Sequence, residues 1–144
     1  MTLATNNLTD EVGTGSPDFP NGMPTSAGDP IVERGSNSDG EWTRWADGTQ
    51  YCGVSITLVY AAANIIATTW NFPVAFTGDQ RPSHEPDSVS LSSTTPSLED
   101  MGLTSSQGLT TSSVTLQQRR AAGATNFASG DTATTRATCF GLWK

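Results

Sequence analysis

Residues 41–60 constrain the fold of this chain more than any other part of its sequence. They begin with strand-forming residues, two of them tryptophans, and Asp47-Gly48 is a dipeptide that accepts the positive φ of a tight turn. The residues after this turn alternate between two faces, as the residues of a strand do. One face is almost wholly apolar and the other is mixed; the apolar set is Cys52, Val54, Ile56, Leu58 and Tyr60. A helix would scatter these five residues around its axis, so the stretch predicts a β-hairpin with one face against a core.

The composition supports a chain of short strands and turns. Of 144 residues, 35% are apolar and 15% are charged, which is too little Leu, Glu and Lys for long helices. The net charge of −7 opposes binding to a phosphate backbone, so no nucleic-acid partner is expected. No apolar run approaches the roughly 18 residues of a membrane span, and the N-terminal residues lack the pattern of a signal peptide. We therefore expect no membrane insertion and a protein that remains in the cytoplasm where it is made.

Further along the chain, strand patterns alternate with turn-rich stretches. Residues 88–93, 113–120 and 132–143 read as strands, whereas 77–86 and 94–111 read as loops because of their Pro, Gly, Asp and Ser content. Trp70, Phe72 and Phe76 fit either a carbohydrate-stacking platform or an aromatic plug in a core, and the core is favoured. These patterns predict an all-β fold, an antiparallel β-sandwich.

Catalytic and metal-binding patterns are absent from the sequence. His84 is the only histidine, and residues 77–86 provide no second His or Cys that would complete a metal site, so a solvated loop position is favoured. A glycosidase with paired carboxylates is the less favoured alternative, for which the acidic residues are Glu85, Asp87, Glu99 and Asp100. Acidic loop residues are ordinarily solubilising, so no catalytic residue, metal site or cofactor is predicted. Cys52 and Cys139 fall on faces assigned to the interior and are predicted to be structural thiols, with a disulfide between them as the less favoured reading.

The N-terminal segment differs in composition from the rest. Residues 1–34 are rich in Pro and Gly, which argues against helices and central strands. A disordered tail is one reading. The other, which we favour, is an extended, strand-poor arm that anchors residues 35–144 to a neighbouring molecule through spaced apolar side chains, namely Phe19, Met23 and Ile31.

Three separated motifs resemble a domain common at the C-terminal ends of bacteriophage fibre and tail proteins. The first, residues 35–52, reads GSNSDGEWTRWADGTQYC, against a family pattern of approximately G-S-N-A-N-G-x-Y-x-R-F-x-D-G-T-Q-I-C. The second is WNFPVAF at 70–76, which corresponds to W-x-F/Y-P-x-A-F. The third is the final GLWK, where the family closes its last strand with G-R-W. The order of the three motifs makes the resemblance more specific than any one of them.

The resemblance implies a homotrimeric virion structural protein, assembled in the host cytoplasm. It would be a small fibre, spike or fibre-tip subunit that contacts the host cell surface, and the alternative is a capsid decoration or head-attachment protein without a receptor role. Other phage structural proteins would bind the arm, and a host surface glycan is a candidate ligand. Because recognition usually resides in loops, the candidate receptor contacts are Asp79, Gln80, Arg81, His84, Ser97 and Gln107. The last strand carries apolar groups on both faces, so the candidate subunit interface is Phe140, Leu142 and Trp143.

Overall fold

The computed structural model describes residues 31–90, 101–123 and 126–144, and every regular element within these ranges is a β-strand. All strand pairs are antiparallel. The predicted all-β, antiparallel fold class is therefore confirmed. The strands are β1 (Ile31–Asn37), β2 (Gly40–Trp45), β3 (Thr49–Ala62), β4 (Ile65–Asn71), β5 (Gly78–Ser90), β6 (Met101–Gln107), β7 (Ser113–Arg120) and β8 (Thr132–Leu142).

Strand β3 is the 14-residue element that connects the two layers of the sandwich. Along one edge it pairs with β8 from Thr49 to Val59. Along its other edge, the first half pairs with β2 and the last residues pair with β4. One layer therefore runs β5-β8-β3-β2-β1, and the other continues from the end of β3 through β4, β7 and β6.

The core lies between these two layers. Both contribute fully buried side chains, Leu58 and Ala137 from one and Ile66 and Leu116 from the other. Trp70, Phe72 and Phe76 belong to this core, at 1%, 6% and 3% exposure. Successive rings pack edge to face with centroids 5.0 Å apart, a geometry that adds to burial alone. The favoured interpretation, that these three aromatics lie in the core, is confirmed.

The predicted β-hairpin is present as β2, a turn and β3. The Asp47 carboxylate accepts hydrogen bonds from the backbone N and the Oγ1 of Thr49, at 2.7 and 2.8 Å, and Gly48 has a φ of 98°. Cys52 and Leu58 are buried on the predicted face and Ile56 is partly buried, whereas Tyr60, on the same face, is exposed near the end of the strand. The predicted faces of β3 are thus confirmed up to Leu58.

The loop predicted at residues 77–86 is wrong, because Gly78–Ser90 forms β5. Among the described residues β5 pairs only with β8, so it is an edge strand, and the prolines at 82 and 86 are tolerated there because an edge strand leaves some N–H groups unpaired. The turn-favouring Asp79 sits at a register irregularity with a φ of 53°. The solvated-loop interpretation of His84 is wrong as well, since this residue is 6% exposed.

The loop predicted at residues 94–111 is also wrong in part, because Met101–Gln107 forms β6 on the free edge of β7. Residues 94–100 lie outside the described residues. The strands predicted at 113–120 and 132–143 are confirmed as β7 and β8.

Strand β1 begins at Ile31 and pairs with β2. Residues 31–34, which the sequence places in the arm, are therefore part of the sheet. Phe19 and Met23 lie outside the described residues.

Candidate functional site

The residues that carry the sequence resemblance meet around one buried side chain, Gln50. This residue is fully buried, and its Nε2 donates to the carbonyl of Val74 at 3.1 Å. Its Oε1 accepts from Nε of Arg44 at 2.8 Å. A single amide therefore connects the hairpin motif to the aromatic-Pro motif. It leaves neither its donor nor its acceptor unpaired, as burial requires.

Arg44 extends this network to β1. Its Nη1 lies 2.8 Å from Oε2 of Glu33, and Nε1 of Trp42 donates to Oε1 of the same carboxylate at 3.1 Å. The hydrogen bond from Arg44, followed by that from Trp42, lowers the pKa of the Glu33 carboxyl. The network holds β1, β2 and β3 together.

The C-terminal motif closes against the same hairpin turn. The backbone N of Trp143 donates to Gly48 O and its Nε1 donates to Trp45 O, both at 3.0 Å. The Arg44 guanidinium lies 5.2 Å from the centroid of the Trp143 ring, a cation–π distance. Lys144 Nζ donates to Ala46 O. We call these contacts of Arg44, Gln50 and Trp143 the motif clamp, and its role is structural.

The candidate receptor contacts do not form one cluster. Asp79, Gln80 and Arg81 lie at the start of β5, beside the end of β8, and Arg81 is opposite Phe140. Gln107 is exposed at the end of β6 in the other layer, where its Oε1 accepts from Gln117 Nε2 at 3.2 Å. Ser97 lies outside the described residues.

His84 is buried and is therefore not accessible as a receptor contact. Its Nε2 lies 3.2 Å from Gln117 O, across the core between β5 and β7. Burial lowers the pKa of this imidazole, and the bond to the Gln117 carbonyl opposes the shift. The structure thus makes His84 a contact between layers. Sequence reasoning missed it because Pro82 and Pro86 indicated a loop.

The candidate interface residues differ in their exposure. Phe140 and Leu142 project from the outer face of β8 at 49% and 38% exposure. Trp143 is partly buried by the motif clamp within its own chain. The first two therefore remain available for contact with a second molecule.

A surface cleft of about 430 Å³ lies between the β1–β2 turn and the outer face of β3 and β8. One side is formed by the ring of Tyr51, which packs against Phe140 with centroids 5.1 Å apart at 55°. Polar side chains complete the lining, among them Glu41, Ser55 and Arg136. Sequence reasoning missed this site because its residues come from four strands and a turn and form no motif.

The described residues show no arrangement suited to metal or thiol chemistry. They contain no group of three or more His, Cys, Asp or Glu side chains that could hold a metal ion. Cys52 and Cys139 face each other across β3 and β8 as buried free thiols. Burial raises the pKa of Cys52 to about 11 and that of Cys139 to about 12, so both stay protonated and unreactive at neutral pH. No helix of the described chain is long and apolar enough to cross a membrane.

Comparisons with known proteins identify the fold. No family model and no curated protein matches the sequence. An N-truncated R1-type pyocin tail fibre matches with a TM-score of 0.52 and 16% identity, over 84% of this chain and 99% of that chain. A C-terminal fragment of the R1 pyocin fibre of P. aeruginosa matches with a TM-score of 0.50 and 14% identity, over 78% of this chain. The chain spans only 29% of that longer fragment. It therefore has a fold found in pyocin tail fibres.

Proposed function

We propose that this chain is a structural subunit of a phage particle, a small fibre or fibre-tip protein that contacts the surface of the host cell. The observation that carries the proposal is the fold match to a pyocin tail-fibre fragment, which extends over 99% of that fragment. The motif clamp supports it. It places each of the three motifs that resemble phage fibre domains at one structural junction.

The architecture suits a role in adhesion. An extended antiparallel sheet with a continuous core gives a rigid scaffold, and a rigid scaffold holds surface groups in place for recognition. Asp79, Gln80 and Arg81 lie at the edge of this scaffold, and Gln107 lies in its other layer. These residues and the cleft beside Tyr51 are the surfaces on which contact with a host glycan is expected.

The location of the protein in the particle tests the proposal. Purified particles are labelled with gold through a tag after Lys144, and free protein is added to host cells before adsorption is measured. Label at the tail fibres together with slower adsorption is the expected result. Label spread over the capsid, with adsorption unchanged, would instead indicate a decoration protein without a receptor role.

The proposed anchor to other phage proteins is residues 1–30, with Phe19 and Met23 as its apolar contacts; Ile31, the third contact predicted from the sequence, belongs to strand β1. Because β1 begins at Ile31, removal of residues 1–30 leaves all eight described strands intact. We expect the shortened protein to keep the melting temperature of the full chain but to be lost from particles. Normal occupancy of particles by the shortened protein would contradict the anchoring role.

A further inference from the structure

We propose that the cleft beside Tyr51 binds a neutral saccharide, an inference that rests on the proposed adhesive function and gives it a ligand class and a site. The cleft volume of about 430 Å³ lies within the range of pockets that hold small molecules. A pyranose ring presents an apolar C–H face and a rim of hydroxyl groups. A site that binds it needs an exposed aromatic surface beside groups that donate and accept hydrogen bonds.

The aromatic surface is held in one orientation. Tyr51 lies along its own strand, so that a Cβ at Gly53 would come within 3.0 Å of Cζ and closer still to Oη. The tilted Phe140 ring supports Tyr51 from β8. A ring that is already fixed loses little conformational entropy when a ligand stacks on it, which favours binding.

The polar groups have unused hydrogen-bonding capacity. Glu41 lies opposite Gly53 on β2, and Arg136 lies opposite Ser55 on β8. Within the described part of the chain, the Glu41 carboxylate and the Arg136 guanidinium form no ion pair and no side-chain hydrogen bond. A carboxylate accepts and a guanidinium donates in fixed directions, and hydroxyl groups of a sugar can do both.

The charges of the cleft select a neutral ligand. One anion and one cation among the lining residues give the cleft no net charge, and the whole chain carries −7. A phosphorylated or otherwise polyanionic glycan would meet the overall negative potential without a cluster of cations to offset it. A neutral sugar has no such penalty.

Gly40 allows the β1–β2 turn to lie close against strand β3. Gly40 has a φ of 132°, and a Cβ there would come far inside contact distance of Gly53 O. Asn37 fixes the same turn, because its Oδ1 accepts from Asp39 N at 2.9 Å and its Nδ2 donates to Pro73 O at 3.0 Å. The wall of the cleft is therefore preformed.

Saturation-transfer NMR on the full chain tests the site. The probes are the methyl glycosides of neutral hexoses and 6-deoxyhexoses, with glucose 6-phosphate as the anionic comparison. We expect at least one neutral glycoside to bind with millimolar affinity and Tyr51→Ala to weaken that binding at least tenfold. Tyr51→Phe, which keeps the ring, should stay within about threefold of the wild type.

Two matched variants control for general effects of substitution. Tyr60→Ala removes an exposed tyrosine of the same strand outside the cleft, and Arg34→Gln removes an exposed arginine of β1 that does not line the cleft. Both should bind like the wild type, whereas Arg136→Gln should weaken binding several-fold. Should Tyr51→Ala fail to fold, the comparison of Arg136→Gln with Arg34→Gln decides the question.

The proposal is overturned if no neutral glycoside binds, if only glucose 6-phosphate binds, or if the cleft variants bind as well as their controls. These outcomes leave the fibre assignment intact when the gold label still marks tail fibres and free protein still slows adsorption. Absence of the protein from the fibres would instead defeat the proposed function, whatever the cleft binds.

Discussion

At the scale of single residues, Gln50 is the point on which the motif clamp depends. Its side chain is fully buried, and it satisfies both Arg44 Nε and the carbonyl of Val74. Loss of such a residue leaves its buried hydrogen-bond partners unpaired. The resulting loss of folding free energy is larger than the modest net contribution of the hydrogen bonds themselves.

We therefore expect Gln50→Ala to lower the free energy of unfolding by about 1–3 kcal/mol, measured by urea denaturation. Gln80→Ala is the matched control, because Gln80 is only partly buried at the edge of the sheet. Its effect should remain within about 0.5 kcal/mol. Equal losses for the two variants would show that the Gln50 amide does not join the motifs energetically.

His84 gives the stability of the fold a pH dependence. Its pKa in the folded protein is lowered by burial from the ordinary 6.5. The unfolded chain therefore takes up a proton more readily as the pH falls, and stability decreases from about pH 7 downwards until the folded pKa is reached. Each pH unit in that range lowers the free energy of unfolding by at most about 1.4 kcal/mol.

We expect wild-type stability in urea to fall between pH 7.5 and pH 5.5, and the fall to be smaller in His84→Gln. The chain has no other histidine, and this range lies above the ordinary titration of carboxyl groups. Parallel pH profiles for the two proteins would contradict the assigned role of His84.

At the scale of elements, strand β3 has one buried face and one exposed face around Leu58. Leu58 is 1% exposed and its neighbour Val59 is 49% exposed. We expect Leu58→Ala to lower the free energy of unfolding by about 2–5 kcal/mol, because it leaves a cavity in a closely packed core. Val59→Ala should cost less than about 1 kcal/mol. Comparable losses in chemical denaturation would mean that both faces of β3 are buried.

The elements that sequence predicted correctly have strong local patterns. The β2–β3 hairpin combines a turn dipeptide with strict alternation. Strand β8 alternates between buried and more accessible residues throughout, and β7 alternates between buried and partly buried residues except at Gln117, which is also buried. Alternation is dictated by the geometry of a strand, so it can be read without knowing the partner strand.

Strands β5 and β6 could not be predicted in the same way. The sequence of β5 contains Gly78, Pro82 and Pro86, which indicate turns, and its strand conformation follows from pairing with β8, a partner more than 40 residues away. β6 has only a partly buried surface and depends on β7. The cleft beside Tyr51 could not be predicted from the sequence either, because its lining residues are brought together only by the register of the paired strands.

At the scale of the whole molecule, the outer face near the end of β8 remains the expected surface for self-association. Phe140 and Leu142 are neighbours on this face and are both well exposed, and a contiguous apolar patch on a soluble protein often marks an interface. Trp143 is a poor probe of that interface, because its bonds to Trp45 and Gly48 already hold it within its own chain.

Leu142→Glu tests the proposed trimer without disturbing the motif clamp or the Tyr51–Phe140 pair. The wild type should have a native mass three times the chain mass of 15.1 kDa at micromolar concentration, and Leu142→Glu should shift it to one chain, since burying an unpaired carboxylate in an interface is costly. Leu103→Glu is the control, because Leu103 is 82% exposed on β6, and it should remain trimeric. A wild-type monomer would contradict the proposed trimer. A trimer unaffected by Leu142→Glu would show that the interface does not include this end of β8. In either case the only role left for Phe140 would be the support of Tyr51.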